Sequence, residues 1–350
     1  MAASVLAMVS CDEWQAQINT EVSRDGSCVR TVTTTGDNCL MTDPVWDFEY
    51  TCVPKDSTNE DNYVYVKPEG ADVPHLVLDS NRTYRNSARF DRVEDMSAHP
   101  SLQVYGQPVT SETALSKRFK WFYTDYTFTE TFAGWQDNFN IPVTDYVSAD
   151  EASFWYTGYP ELTRGWSGKD IADFTSKLEE KMESWMYATA WDIYFNTIAI
   201  YYDDLDDAPV SRDEFLSARD TIIKLAFERC VDFFDDDRDE LMEEYFQSDF
   251  LSSSNLDDYK YDRCSDSLYY RSLGLPSLMV DYTLRMPGRV TDAGSGKVAD
   301  DGAVEYCFDG GFIMFGDYTV TVTSRAVNVW AFLLSGLILV VAVGSFFIKR

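Results

Sequence analysis

From Val327 to Ile348 the chain reads VNVWAFLLSGLILVVAVGSFFI, without a single charged side chain. No other stretch narrows the outcome as far. As a helix, about twenty residues rise roughly 30 Å, which is the thickness of a bilayer's hydrocarbon core. Asn328, Ser335 and Ser345 are its clearly polar members, and Trp330 lies near one end, where an indole prefers the membrane–water boundary. Lys349 and Arg350 close the sequence and belong on the cytoplasmic side under the positive-inside rule. Residues 327–348 are therefore expected to form a single transmembrane helix, with the preceding residues extracytoplasmic.

The remainder must suit that placement. The 350 residues carry 59 acidic and 29 basic side chains, a formal charge of −30. Such a surface repels nucleic-acid phosphate, so no nucleic-acid partner is expected. At 45% hydrophobic the chain has enough apolar material to fold, which separates it from a disordered acidic tail.

The other end begins MAASVLAMVSC-DEW, apolar and small over residues 1–10 and abruptly polar after Cys11. Met8, Val9, Ser10 and Cys11 resemble the lipobox that closes a bacterial lipoprotein signal peptide, which makes residues 1–10 a signal remnant and Cys11 the lipidation candidate. In such lipoproteins an Asp directly after the cysteine, here Asp12, goes with retention in the inner membrane. The resemblance implies a periplasmic ectodomain anchored to the inner membrane. Cys28, Cys39, Cys52, Cys230, Cys264 and Cys307 then remain, an even number in an oxidising compartment, and all six are disulfide candidates. Cys230 is expected to pair with Cys264, because both flank one acidic helical region.

Periodicity organises the ectodomain as α+β. Residues 11–135 read as a β region: Trp14, Ala16, Ile18 and Val22 alternate with polar neighbours, and Asp25-Gly26 supplies a hairpin turn. Phe119–Phe132 reads as one long strand with Phe122, Tyr126, Phe128 and Phe132 on a single face. Residues 136–275 read as a helical insertion ending in a linker. Capping boxes start at Ser148 and Ser211, a weaker one at Ser167, and Ile171, Phe174, Leu178, Met182, Trp185 and Met186 recur at helical spacing. The linker is the Ser/Asp/Tyr-rich segment up to about 275. Residues 276–325 read as a β meander. The economical fold is an antiparallel β module built from both chain ends, with the helical block inserted and one C-terminal membrane helix; two separate sheets are the rival.

Asp25-Gly26, Met286-Pro287-Gly288-Arg289-Val290, Val304-Glu305-Tyr306 and Ser324-Arg325 together resemble pieces of extracytoplasmic lipoproteins with an LppM-like domain. There a hairpin follows the lipobox and a Pro-Gly-containing meander precedes a terminal membrane helix. The chain is also similar to envelope lipoproteins of the Bacteroidetes type. The resemblance implies an envelope β domain that contacts lipid or protein, and it carries over no catalytic residue.

Catalytic chemistry finds little footing. Asp235, Asp237 and Asp239 occupy the first, third and fifth places of an EF-hand loop, yet Glu240 and Phe246 stand where glycine and a bidentate Glu are needed. They remain weak calcium candidates, as does the Asp203–Asp207 run, and neither a metal nor an organic cofactor is expected. Ala293-Gly294-Ser295-Gly296-Lys297 lacks the spacing of a phosphate loop. His75 and His99, the only histidines, lie in polar loop-like stretches. The leading expectation is a non-catalytic binding or envelope-assembly protein whose partners are the bilayer and an envelope protein or lipid. A carboxylate-dependent glycan-processing enzyme and a eukaryotic type I ectodomain are the alternatives.

Overall fold

The computed structural model describes residues 14–35, 43–52, 64–66, 83–104, 106–205, 207–231, 237–251 and 258–348. It is mixed α+β, and the chain divides into two compact units. Trp14–Ala133, Met279–Phe308 and Asp317–Arg350 form a β unit; Gly134–Leu278 and Asp309–Gly316 belong to a helical one. Residues 309–316, inside the expected β meander, thus belong with the helices.

The strands are β1 (Trp14–Val22), β2 (Cys28–Thr35), β3 (Asp47–Cys52), β4 (Val64–Val66), β5 (Thr83–Phe90), β6 (Leu102–Val104), β7 (Gln107–Val109), β8 (Ser111–Lys120), β9 (Tyr123–Phe132), β10 (Leu278–Arg285), β11 (Arg289–Asp292), β12 (Lys297–Val298), β13 (Val304–Asp309) and β14 (Tyr318–Val327). One sheet has the order β12-β13-β10-β1-β2-β5-β3-β4, a second has β11-β14-β9-β8, and β6 pairs with β7. Strands from both sides of the helical segment therefore share each of the two larger sheets. Alternation decides which faces meet. Ala16, Ile18, Thr20 and Val22 on β1 are buried, as are Val280, Tyr282 and Leu284 on β10 and Tyr126, Phe128 and Phe132 on β9. Phe132 packs edge-on to Tyr282 with ring centres 6.3 Å apart and lies 5.5 Å from Phe308, joining the inner faces of the two sheets.

The expected single strand over Phe119–Phe132 is instead a hairpin. Lys120 pairs with Tyr123, so Trp121 and Phe122 form a two-residue turn. Two-residue hairpin loops usually advertise themselves through Asn-Gly or a similar pair; Trp-Phe carries no such signal. Phe122 consequently leaves the buried aromatic face and is 42% exposed.

The helices are α1 (Ala149–Thr157), α2 (Gly168–Tyr201), α3 (Arg212–Ser217), α4 (Arg219–Arg229), α5 (Asp237–Phe246), α6 (Asp258–Ser272), α7 (Gly311–Met314) and α8 (Val329–Ile348). The capping boxes at Ser148 and Ser211 are both formed, and the Ser167 hydroxyl accepts from the Asp170 amide. Such local devices satisfy backbone donors that no earlier turn can serve. Leu178, Met182, Trp185 and Met186 are buried along α2. The segment expected as a linker contains α6, which packs on α2, with Tyr261 6.4 Å from Tyr201. Its Ser and Asp content argues for turns, and packing overrides that preference.

Among the described residues no helix is long and apolar enough to cross a membrane. In α8, which runs to Ile348, side chains are described only as far as Ser345.

Candidate functional site

The β unit holds a polar cluster that sequence reasoning missed. Arg30 takes an inward position on β2, and Glu130 takes one on β9 between Phe128 and Phe132; both are essentially unexposed. Arg30 Nη1 and Nη2 donate to the two Glu130 carboxylate oxygens at 2.8 and 2.6 Å. Its Nε donates to Thr20 Oγ1 at 2.9 Å, Nη1 also reaches Ser101 Oγ at 3.2 Å, and Nη2 reaches the Tyr282 hydroxyl at 3.1 Å. Glu130 further accepts from Tyr282 at 2.7 Å and from Ser111 at 2.9 Å.

Every guanidinium donor direction is thereby used. Burial alone would push Arg30 to lose its proton, but the carboxylate beside it more than reverses that and holds the charge firmly. Tyr282, desolvated and facing Glu130, titrates well above the usual tyrosine range. A network of this kind ties two sheets together and leaves neither the guanidinium donors nor the carboxylate oxygens open to a substrate.

The other candidates disperse. Cys11, Cys39, Asp235 and His75 lie outside the described residues, and of Cys52 only the backbone is described. The expected Cys230–Cys264 bridge is absent, and both are thiols. Cys230 is the exposed left-handed cap of α4, whereas Cys264 sits in α6, where the Tyr201 side chain hydrogen-bonds to it. Each is thus fixed by its own helix. Cys28 and Cys307 are likewise not disulfide-bonded; Cys28 is buried in the β unit and Cys307 is exposed on β13.

Asp237 and Asp239 open α5, and Asp239 accepts a hydrogen bond from Tyr194. Asp203 is paired with Arg212 at 2.7 Å. Among the described residues no group of three or more His, Cys, Asp or Glu side chains could hold a metal ion. His99, partly exposed, has its Nδ1 2.6 Å from Asp43 Oδ2. A recess of about 200 Å³ is lined by Asp25, Gly26, Arg92, Glu94, Leu115 and Lys117, below the roughly 300–1,000 Å³ of ordinary small-molecule sites.

One surface of the β unit does stand out, around the β8–β9 turn. Phe119, Trp121 and Phe122 are 59%, 45% and 42% exposed, and they face the first turns of α8. Phe119 stacks on Trp330 at 6.2 Å, Trp121 meets the same indole edge-on at 5.3 Å, and Phe122 lies 4.7 Å from Phe332. Trp121 Nε1 donates to Ser335 Oγ at 3.0 Å.

Asn328, the single residue between β14 and α8, locks the turn. Its backbone N–H donates to Phe122 O at 2.9 Å and its side chain to Lys120 O at 2.9 Å, while its Oδ1 accepts from Thr124 at 3.1 Å. Behind the aromatic tip lies a layer of charge. Arg325 and Lys120 both bind Asp125, at 2.6 and 2.9 Å, and both overlie the Tyr123 ring. Arg24 donates to Val327 O at 3.3 Å.

Family models, curated proteins and solved structures yield no match to this chain.

Proposed function

We propose that this protein is a membrane-anchored, non-catalytic binding or assembly component of a cell envelope, held in a bilayer by α8, which starts at Val329 rather than at the expected Val327, with its β unit on the extracytoplasmic side. The observation that carries the proposal is the condition of α8. Leu333, Leu337, Leu339, Val340 and Val341 are each more than 60% exposed. Three of them are consecutive, so successive steps of about 100° point them around the helix rather than along one stripe.

Fully burying a side chain of this kind is worth about 1.5–3 kcal/mol. A handful left in water forfeits as much as the whole stability of a domain, about 5–15 kcal/mol. Lipid removes that cost. Lys349 and Arg350 orient the helix with its end in the cytoplasm, and a lipid on Cys11 would add a second attachment, as in the LppM-like lipoproteins the chain resembles. The non-catalytic part rests on saturation: Arg30 and Glu130 satisfy each other, Asp192 is held by Arg219 and Asn140, and His99 is held by Asp43.

The test is extraction of the full chain from expressing cells. Wild type is expected to stay in the membrane pellet through an alkaline carbonate wash and to be cleaved by protease added outside spheroplasts. Leu337→Arg with Val340→Arg places charge at the helix centre, at about 2.5–3.5 kcal/mol each, and is expected to shift the protein to the supernatant. Wild type recovered in the soluble fraction without detergent would overturn the proposal.

A further inference from the structure

We infer that the β8–β9 hairpin tip is a second membrane-contacting element, with Phe119, Trp121 and Phe122 seated in the lipid interface beside α8. The inference rests on α8 being the membrane span. It follows from depth. Ser335 is six residues beyond Val329, hence about 9 Å along the axis at 1.5 Å per residue. Trp121 donates to Ser335, so the indole reaches as far down the helix as its second turn. A bilayer that takes up α8 from its first residues therefore also takes up the turn.

The chemistry of the tip fits that place. A two-residue hairpin loop made of Trp and Phe, both substantially exposed, would be a liability in water. Trp at the boundary is favoured, with its ring among glycerol and upper acyl groups and its N–H satisfied. Immediately behind it stand Arg118, Lys120, Arg325 and Arg24, four cations against the one carboxylate of Asp125 that Lys120 and Arg325 share, at the level of phosphate head groups. Arg118 is exposed on β8, and the whole chain carries only 29 basic residues against 59 acidic ones, so a basic patch here matches an anionic lipid surface that the rest of the molecule would repel. The apolar tip is continuous with the apolar surface of α8 through the Phe119–Trp330 and Phe122–Phe332 contacts, which makes the occupant the same bilayer.

The experiment reconstitutes the full chain into phosphatidylcholine–phosphatidylglycerol vesicles doped with a phosphatidylcholine carrying a diazirine on an acyl carbon near the glycerol. After irradiation, lipid adducts are mapped by mass spectrometry. Adducts are expected at 119–122 as well as on α8. A Phe119→Ser, Trp121→Ser, Phe122→Ser variant is expected to lose at least tenfold of the hairpin adduct while keeping that on α8. Should this variant not fold, the wild-type map decides by itself. Adducts on α8 with none at 119–122 overturn the inference and leave the α8 proposal standing. Protein that floats free of the vesicles with no adduct anywhere overturns both.

Discussion

Arg30 on β2 and Glu130 on β9 meet in a two-point contact, with side chains 2% and 0% exposed. Removing one partner strands a charge in the interior, which costs about 3–5 kcal/mol. Arg30→Met and Glu130→Gln are each expected to destabilise by that order in urea unfolding of the full chain. The double variant should cost much less than the sum of the singles, yet still leave Tyr282, Thr20, Ser101 and Ser111 without their former partners. Additive losses would mean that the pair is not coupled.

Gly288 tests the junction above α8. It has φ +83°, and a Cβ there would sit 2.3 Å from Arg325 O and 2.7 Å from Ala326 Cα. Gly302 has φ +85° with nothing within 4 Å. Gly302→Ala is therefore expected to cost only the left-handed penalty of about 1–2 kcal/mol. Gly288→Ala must also displace backbone and should cost clearly more. Equal losses in thermal denaturation would refute the packing argument.

Asp125 is pulled down to about 2 by hydrogen bonds from Arg325 and Lys120. Since its folded value lies below its ordinary 3.8, its contribution is present above that pH and fades as pH falls through about 2. A carbon-detected NMR titration should find this carboxyl still ionised at pH 3. In Arg325→Gln it should titrate nearer the ordinary value.

Burial pushes the Cys28 thiol up to about 11 from 9.0. The native state retains this proton where the unfolded state sheds it, so stability is expected to fall between pH 9 and 11. At pH 8 a water-soluble aromatic disulfide should label exposed Cys230 in the folded protein and spare Cys28 until denaturant is added. Prompt labelling of Cys28 would contradict its placement.

How much of this was legible in the sequence depends on range. Capping boxes at Ser148 and Ser211 could be read because the interacting groups are three residues apart. The alternation of β1 could be read for the same reason. Period two also puts Glu130 in phase with Phe128 and Phe132, and Arg30 in phase with Cys28 and Val32, so two charges on core faces were there to be noticed. Their pairing was not, because one hundred residues separate them and only the fold sets strand neighbours. The Trp121-Phe122 turn escaped because it has neither glycine nor proline, and α6 because its composition favours loops while α2 supplies the contact. Pairing among cysteines has no local signal at all.

The link between β14 and α8 is one residue, Asn328, and its amide groups are spent on the neighbouring hairpin. There is no slack at this joint. The β unit must turn with the helix axis rather than swing above it, so any torque or tilt imposed on α8 is handed directly to the sheets. On the proposal that α8 spans a bilayer, a ligand for this unit would have to be delivered close to the membrane plane.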